Sequence, residues 1–210
     1  MPFLTFEGID GSGKSSLLKA FTDYLKSRGL PVEITREPGG SNIGPELRNI
    51  LLRTVGQAPC PQAELLIYEA DRAQHVTFKI RPLLEKGVWV ISDRFADSSI
   101  AFQGAGRHIK KEDVQWLNTF ATGGLKPDLT ILLDCPVELS QARRKKREGE
   151  KKVNADRFEM ESQEFHQAVR DSYLALAKNE PDRFVVLDAK KTQEVLLKEL
   201  IEAVSTRDLR

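Results

Sequence analysis

Several features that mark specialised classes of protein are scarce in this sequence. The two cysteines, Cys60 and Cys135, are too few for a disulfide framework and lack the CxxC spacing of a metal or redox site. No apolar run approaches the length of a membrane span. Acidic and basic residues balance at 31 and 32, so net charge does not indicate a nucleic-acid or membrane partner. We expect a cytoplasmic globular protein, and no signal peptide before the first predicted strand.

Strand-like and helical segments alternate along the chain. Short apolar runs predict strands at Phe3–Glu7, Val32–Arg36, Val88–Ser92, Leu129–Asp134 and Phe184–Asp188. Apolar residues recur at helical spacing over Lys14–Arg28, Gln62–Glu85, Lys111–Phe120, Val137–Arg147, Ser162–Asn179 and Thr192–Val204. This alternation predicts one α/β domain over residues 1–210, with a five-stranded parallel sheet covered by helices on both faces. Ligands of such sheets bind at the carboxyl ends of the strands.

A glycine-rich segment lies between the first predicted strand and the first predicted helix. Residues 8–15 read G-x-x-x-x-G-K-S, a complete phosphate-binding loop. Its glycines allow consecutive backbone N–H groups to point at a phosphate, and the following helix adds the positive end of its dipole. Lys14 would bind the β- and γ-phosphates, and the Ser15 hydroxyl would bind Mg²⁺. The loop predicts nucleotide binding, but GTPases, ATPases and kinases all carry it.

Two other strand ends carry arginines suited to a second phosphate. The segment TREPGG at 35–40 places Arg36 before a stiff Pro-Gly-Gly turn, where a guanidinium can bind an anion in bidentate fashion. A surface ion pair between Arg36 and Glu37 is the simpler alternative. The third predicted strand is followed by Asp93, placed to order the water around Mg²⁺, and by Arg94. Such an arginine cluster favours an enzyme that transfers phosphate to another phosphate.

These motifs together resemble those of the thymidylate kinase family. The resemblance rests on the phosphate loop with its F-E-G start, on TREPGG at 35–40, on DRAQ at 71–74 and on DRF-x-x-S-S-x-A-F-Q at 93–103. It continues through KPDL at 126–129, DRFE at 156–159 and YLALA at 173–177, and so covers nearly the whole chain. It implies a P-loop nucleoside-monophosphate kinase fold, transfer of the γ-phosphate of ATP to dTMP, Mg²⁺ as cofactor, and a homodimer formed through packed helices.

By this resemblance, two overlapping sets of residues bind the substrates. The donor ATP would be held by Gly8, Ile9, Asp10, Gly11, Ser12, Gly13, Lys14, Ser15 and Ser16, with Ser15 and Asp93 at the metal. The acceptor dTMP would be bound by Asp10, Arg36, Glu37, Arg48, Tyr68, Arg72, Arg94, Ser98, Ser99, Phe102 and Gln103. Arg94 is expected on the acceptor phosphate. Phe102 is expected to crowd the sugar C2′ and so exclude ribonucleotides. Asp10 is expected at the deoxyribose 3′-hydroxyl, although an aspartate in this loop can also simply cap the turn.

The base pocket departs from the usual family pattern at one position. Tyr68 stands where the family usually has a phenylalanine stacked on thymine. A tyrosine ring stacks equally well, but its hydroxyl needs a partner or water. Arg72 lies four residues further along, on the same helix face, and matches the arginine that hydrogen-bonds the base. Ordinary core packing is the alternative role for Tyr68.

The source of a catalytic arginine divides the family. Some members carry it in the phosphate loop at the position of Gly11, so its absence here implies an arginine from a basic lid at 143–157. The expected catalytic residues are Lys14, Asp10, Asp93, Arg94, Arg143 and Arg147, with Arg144 and Arg157 as second choices for the lid arginine.

Two other functions remain open from sequence alone. Another nucleoside-monophosphate or deoxynucleoside kinase is the nearer alternative. A P-loop GTPase or nucleotide-binding regulator is the more distant one. The guanine-reading motif N-K-x-D is not found, because Asn118 is followed by Thr119 and Phe120.

Overall fold

Residues 1–151 and 156–207 are described in the computed structural model of this chain, apart from the side chains at 147, 148, 150 and 151. One parallel sheet is built from β1 (Phe3–Glu7), β2 (Val32–Arg36), β3 (Trp89–Asp93), β4 (Leu129–Asp134) and β5 (Phe184–Asp188). The strands lie in the order β2-β3-β1-β4-β5, and every neighbouring pair is parallel. The predicted α/β class and its five-stranded parallel sheet are confirmed.

Helices connect the strands. They are α1 (Lys14–Ser27), α2 (Gly44–Leu52), α3 (Pro61–His75), α4 (Arg81–Glu85), α5 (Ala96–Ser99), α6 (Lys111–Thr122), α7 (Val137–Lys151), α8 (Gln163–Asn179) and α9 (Gln193–Thr206). π-Helical segments join α3 to α4 at Val76–Ile80 and follow α5 at Ile100–Gly106. The described helices include none that is long and apolar enough to cross a membrane.

Most predicted boundaries agree with the structure to within a few residues. The third strand is shifted by one residue, because Asp93 extends the parallel ladders opposite Arg36 and Phe6. The predicted helical segment Gln62–Glu85 is present as α3, a π-helical turn and α4, although the widening of the backbone at Val76–Ile80 was not predicted. Helices α2 and α5 were not predicted.

The sheet core positions the functional loops. β1 and β4 lie centrally and are almost wholly buried, with Leu4, Phe6 and Ile131 inaccessible to solvent. Because all strands are parallel, their carboxyl ends meet at one edge. The phosphate loop after β1, the TREPGG turn after β2 and Arg94 after β3 are thereby brought together.

Candidate active site

The phosphate loop has a backbone that only glycine can form at its key positions. Gly8, Gly11 and Gly13 all have positive φ, at 131°, 81° and 101°. A Cβ at Gly8 would lie 2.6 Å from the carbonyl oxygen of Leu133 in β4, so the loop packs directly against the sheet. The buried Ser12 Oγ has no hydrogen-bond partner among the described residues. A polar cradle of this kind is suited to a phosphate group.

Lys14 lies within the loop. Its Nζ donates to the carbonyl oxygens of Gly8 at 2.9 Å and Ile9 at 3.1 Å, and the side chain is buried. Burial, followed by the neighbouring Arg94, lowers the pKa of Lys14 below its usual value. A desolvated cation held by neutral carbonyls gains from the arrival of an anion.

A polar cleft runs from this loop across the carboxyl edge of the sheet. It is lined by Asp10, Gly11, Gly13, Lys14, Ser15, Ser16, Arg36, Glu37, Arg48, Asp93, Arg94, Arg143, Arg144, Asp156 and Glu159. Of the predicted donor residues, Gly8, Ile9 and Ser12 lie in the loop itself rather than along this cleft, and the Ile9 side chain is buried in the core.

A deeper pocket continues from the cleft between α3 and the segment after β3. It is lined by Asp10, Glu37, Pro38, Arg48, Leu52, Tyr68, Arg72, Arg94, Ser98, Ser99, Phe102, Gln103, Asp156 and Phe158. All the residues predicted to bind the acceptor line the cleft or this pocket, so the structure brings that set together. Asp10 and Arg94 belong to both linings, at the junction of the two spaces, together with Glu37, Arg48 and Asp156.

Arg94 has an unusual backbone. Its φ is 73°, in the left-handed region that non-glycine residues seldom adopt, and its N–H donates to the carbonyl oxygen of Phe6 at 3.0 Å. The guanidinium donates to Asp10 Oδ1 at 2.8 Å and lies 4.8 Å from the centre of the Phe102 ring. The strained backbone and the ring together hold the guanidinium at the junction.

The charge of Asp10 is fixed by its neighbours. Burial by itself would raise the pKa of this carboxyl, but the cations of Arg94 and Lys14 outweigh burial and hold the pKa well below its usual range. The backbone carbonyl of Asp10 also accepts a 2.5 Å hydrogen bond from Ser140 of α7. Asp10 is therefore an acceptor that faces both spaces.

Glu7 is a site residue that sequence reasoning missed. Its side chain is wholly buried and accepts hydrogen bonds from the Phe95 N–H at 2.8 Å and from the hydroxyls of Ser98 and Tyr173, each at 2.7 Å. Burial raises the pKa of Glu7 to about 7. The only available signal was its place as the polar residue that closes a buried strand.

Arg72 is held by carboxylates rather than free in the pocket. Its Nε donates to Glu37 at 2.8 Å, and its Nη1 donates to Glu69 at 2.5 Å and to Asn118 at 2.7 Å. Its Nη2 donates to the Phe95 carbonyl oxygen at 3.1 Å. A single partner is found for Nη2 among the described residues, so one N–H remains for a ligand.

The position of Glu37 depends on a buried histidine that sequence reasoning did not place in the site. His75 Nδ1 lies 2.9 Å from Glu37 Oε1, and its Nε2 lies 2.6 Å from Thr35 Oγ1. Asp71 stabilises the TREPGG turn that carries Glu37, because its carboxylate accepts a hydrogen bond from the Gly39 N–H at 2.7 Å.

The predicted lid arginines differ in their surroundings. Arg143 donates to the carbonyl oxygens of Ser12 at 3.1 Å and Ala189 at 2.8 Å, and so borders the phosphate loop. Arg144 is buried and donates to the Glu159 carbonyl oxygen at 2.8 Å. The side chain of Arg147 lies outside the described residues, as do residues 152–155 of the predicted lid.

Gly11 packs against the N-terminal turn of α7. A Cβ there would lie 2.7 Å from the Ser140 carbonyl oxygen and 3.1 Å from Arg144 Cγ. This position therefore has no room for an arginine side chain in this structure. Arg144 lies beside it instead.

The donor set near the loop suits Mg²⁺. Ser15 and Asp93 line the same cleft as Lys14. Within residues 1–151 and 156–207, no group of three histidine, cysteine, aspartate or glutamate side chains could hold a metal by itself. Magnesium in phosphate-transfer sites uses one or two protein ligands together with substrate phosphates, so a hydroxyl and one carboxylate fit it.

Fold and site together define a P-loop nucleoside-monophosphate kinase: a parallel sheet, a phosphate loop and an adjoining arginine-lined pocket for a second anion. The family model described as "Thymidylate kinase" matches residues 6–200. A thymidylate kinase of Bdellovibrio bacteriovorus is 51% identical over 99% of this chain and 97% of its own length. Thymidylate kinases of Desulfovibrio desulfuricans and Trichlorobacter lovleyi are 50% and 44% identical, covering 91% and 98% of this chain and 89% and 97% of their own. The chain belongs to the thymidylate kinase family.

Proposed function

We propose that this protein transfers the γ-phosphate of ATP to dTMP, giving dTDP and ADP. The observation that carries the proposal is the position of Arg94 and Asp10 at the junction of two spaces. One space is bounded by the phosphate loop and suits a triphosphate. The other is closed by aromatic and polar side chains and suits a nucleoside monophosphate.

The inner pocket suits a deoxynucleotide with a flat base. Tyr68 lies beside Phe158, with ring centres 6.1 Å apart, and Arg72 lies deeper in the same pocket. We assign Tyr68 to stacking on thymine, Arg72 to a hydrogen bond with the base, and Phe102 to exclusion of a ribose 2′-hydroxyl. Ser98 and Ser99 line the pocket, but their hydroxyls bond Glu7 and Glu69, so they act by shaping it.

Catalysis in this site would consist of positioning and charge neutralisation. Phosphoryl transfer passes through a loose transition state, and an acceptor phosphate is already an anion that needs no strong general base. Lys14 would bind the donor phosphates, and Arg94 would hold the acceptor phosphate in line with them. Asp10 would hold the sugar hydroxyl while keeping Arg94 oriented through their hydrogen bond.

The remaining cations have supporting roles. Arg36 and Arg48 line the cleft and would attract the acceptor phosphate. We assign the charge-neutralising arginine of the lid to the set Arg143, Arg144 and Arg147, of which the first two border the phosphate loop and Gly11. Closure of residues 143–157 over the substrates would exclude water, the competing acceptor. Ser15 and Asp93 would hold Mg²⁺, which when bound offsets the negative charge of the donor phosphates.

We also propose a homodimer in the cytoplasm. Trp116 and Phe120 of α6 stack 5.7 Å apart, yet are 65% and 75% exposed, and Leu66 of α3 is 54% exposed on the helix packed against α6. Large apolar side chains exposed together are typical of a protein interface. Both cysteines are free thiols, which suits a reducing compartment.

A coupled assay that measures ADP formation tests the proposed function. Purified protein with ATP and Mg²⁺ should turn over dTMP far faster than dUMP, UMP, dAMP or thymidine. Thymidine lacks the phosphate that Arg94 would bind, so it should be the poorest pyrimidine substrate. Equal turnover of dTMP and dAMP, or turnover of thymidine in preference to dTMP, would refute the assignment.

A further inference from the structure

Behind the wall of the acceptor pocket lies a buried carboxylate to which the reaction itself assigns no role. Glu64 lies on α3 and is completely inaccessible to solvent. Its Oε1 accepts from Gln103 Nε2 at 2.8 Å and from Arg107 Nε at 3.3 Å. Its Oε2 accepts from Arg157 Nη2 at 2.6 Å. One acceptor group thus faces three donors, two from the segment after β3 and one from the segment before α8.

This arrangement fixes the orientation of one amide. A carboxylate offers only acceptors, so Gln103 must turn its Nε2 toward Glu64. The two ends of a glutamine amide are opposite in character, and the Gln103 carbonyl oxygen is then the end left for the pocket that Gln103 lines. Among the described residues, no donor to that oxygen is found.

The pocket therefore presents a fixed pair of groups to the base. Gln103 offers an acceptor, and the remaining N–H of Arg72 Nη2 offers a donor. A thymine edge carries the complementary pair, the N3–H donor and the O4 acceptor. A cytosine edge carries the opposite pair, with N3 as acceptor and the amino group as donor.

We propose that Glu64 is a specificity-determining residue, which selects thymine over cytosine by fixing the orientation of the Gln103 amide. The proposal rests on the proposed function, because it assigns the base-reading step of the same site. Glu64 would not touch the nucleotide itself; it is a positioning residue that acts through Gln103. Mispairing a buried donor or acceptor is costly, and so the fixed amide rejects the wrong base.

The variant Glu64→Gln tests this directly. A glutamine at this position has one acceptor oxygen for three donors, and Arg107 and Arg157 compete for it. Its amino group is then left to face Gln103, which would turn its own carbonyl oxygen away from the pocket. The substrates are dTMP and 5-methyl-dCMP, which share the sugar, phosphate and ring methyl and differ only at the edge in question. We expect the ratio of their kcat/KM values, dTMP over 5-methyl-dCMP, to fall at least about tenfold in Glu64→Gln.

A double-mutant cycle separates this role from a structural one. Gln103→Leu should lower the same ratio, and adding Glu64→Gln in that background should change it by less than about twofold, because the two residues act in series. Glu161→Gln is the matched control: it removes the carboxylate charge from the 2.6 Å contact with Arg107 Nη2 but leaves Glu64 and Gln103 bonded, so the ratio should stay at the wild-type value. A folded Glu64→Gln protein with the wild-type ratio would overturn the proposal. The proposal would also be overturned if Glu64→Gln lowered the ratio by the same factor in the wild-type and Gln103→Leu backgrounds.

Two further measurements cover other outcomes. If Glu64→Gln does not fold, Arg157→Ala is measured instead. This variant removes one cation from Glu64 but leaves Glu64 as the acceptor for Gln103, so the kcat/KM ratio should stay at the wild-type value. A tenfold fall in the ratio would contradict the proposal. If the wild type does not phosphorylate dTMP, the proposed function is wrong. Titration calorimetry of dTMP and 5-methyl-dCMP then decides the amide orientation from binding alone, and failure to bind either nucleotide overturns both proposals.

Discussion

Arg94 donates to Asp10 across 2.8 Å, although one residue follows β3 and the other lies in the loop after β1. The contact joins the phosphate loop to the acceptor pocket. Replacing Arg94 with alanine should lower kcat on dTMP by on the order of 10³, because one clamping arginine is lost from the transition state. Steady-state kinetics with ATP and dTMP measure this. Arg53→Ala, at an exposed arginine outside both spaces, should leave kcat unchanged, and a near-normal rate for Arg94→Ala would disprove the role given to Arg94.

The left-handed backbone at Arg94 allows the effect of backbone strain on stability to be measured separately from the effect of the guanidinium charge on activity. Glycine adopts a φ of 73° without cost, whereas alanine does not. Arg94→Gly should therefore be more stable than Arg94→Ala by on the order of 1 kcal/mol, while both are equally inactive. Chemical denaturation supplies the stability difference. Equal stability of the two variants would mean that the loop relaxes.

Glu7 should make stability depend on pH. The folded protein keeps the proton of Glu7 up to about pH 7, whereas the unfolded chain releases it near 4.5. The folded state binds more protons in that window, so the free energy of unfolding falls as pH rises through it and then levels off. The contribution is on the order of 3 kcal/mol. Urea denaturation from pH 4.5 to 8 should show a smaller fall for Glu7→Gln than for wild type, with Glu46→Gln, at an exposed glutamate, following wild type.

Gly11 should tolerate no side chain. A Cβ there would meet the Ser140 carbonyl oxygen at 2.7 Å, in addition to the cost of a φ of 81°. Gly29→Ala provides a matched control, since Gly29 has a φ of 76° and open space around it. The control should lose on the order of 1–2 kcal/mol of stability from strain alone. Gly11→Ala should lose more and raise the KM for ATP; equal losses would show that α7 moves away.

The hydroxyl of Tyr68 should matter less than its ring. Among the described residues this hydroxyl has no hydrogen-bond partner, and burial raises the pKa of Tyr68 above its usual value. Tyr68→Phe should keep the KM for dTMP within about threefold, because the stacking surface remains. Tyr68→Ala should raise the KM about tenfold or more through lost stacking. A large loss in Tyr68→Phe would instead assign the hydroxyl a direct contact with substrate.

The exposed aromatic pair on α6 should control association. Phe120→Asp places a charge in the proposed interface and should convert a dimer into a monomer. Light scattering coupled to size-exclusion chromatography measures the mass. Val195→Asp adds the same charge at an exposed apolar residue of α9 and should leave the mass unchanged. A monomeric wild type would remove the basis for the proposed dimer.

Local chemistry explains what could be predicted from the sequence. The phosphate loop, its strand and its helix are contiguous, so the spacing of Gly8, Gly13 and Lys14 already specifies the cradle. Parallel strands bring their ends together, which was enough to group Arg36, Asp93 and Arg94 by the polar residues that follow each strand.

Contacts between distant segments could not be predicted in the same way. Glu7 and Tyr173 are 166 residues apart and bond inside the core, and nothing in either local segment indicates that the two side chains meet. The π-helical turn at Val76–Ile80 has no signal in the sequence, since its buried residues Val76 and Ile80 keep the i, i+4 spacing of a regular helix. The contact that excludes a side chain at Gly11 comes from Ser140 of α7, which no local pattern associates with the loop.

Arg143 and Arg144 are adjacent in α7 but donate hydrogen bonds to different parts of the protein. Arg143 reaches Ser12 and Ala189, while Arg144 reaches Glu159. A single inserted or deleted residue between Ser140 and Arg143 would turn both side chains by about 100° and break both attachments. An insertion beyond Arg144 would leave both attachments intact, and the long lysine-rich stretch of the sequence lies there.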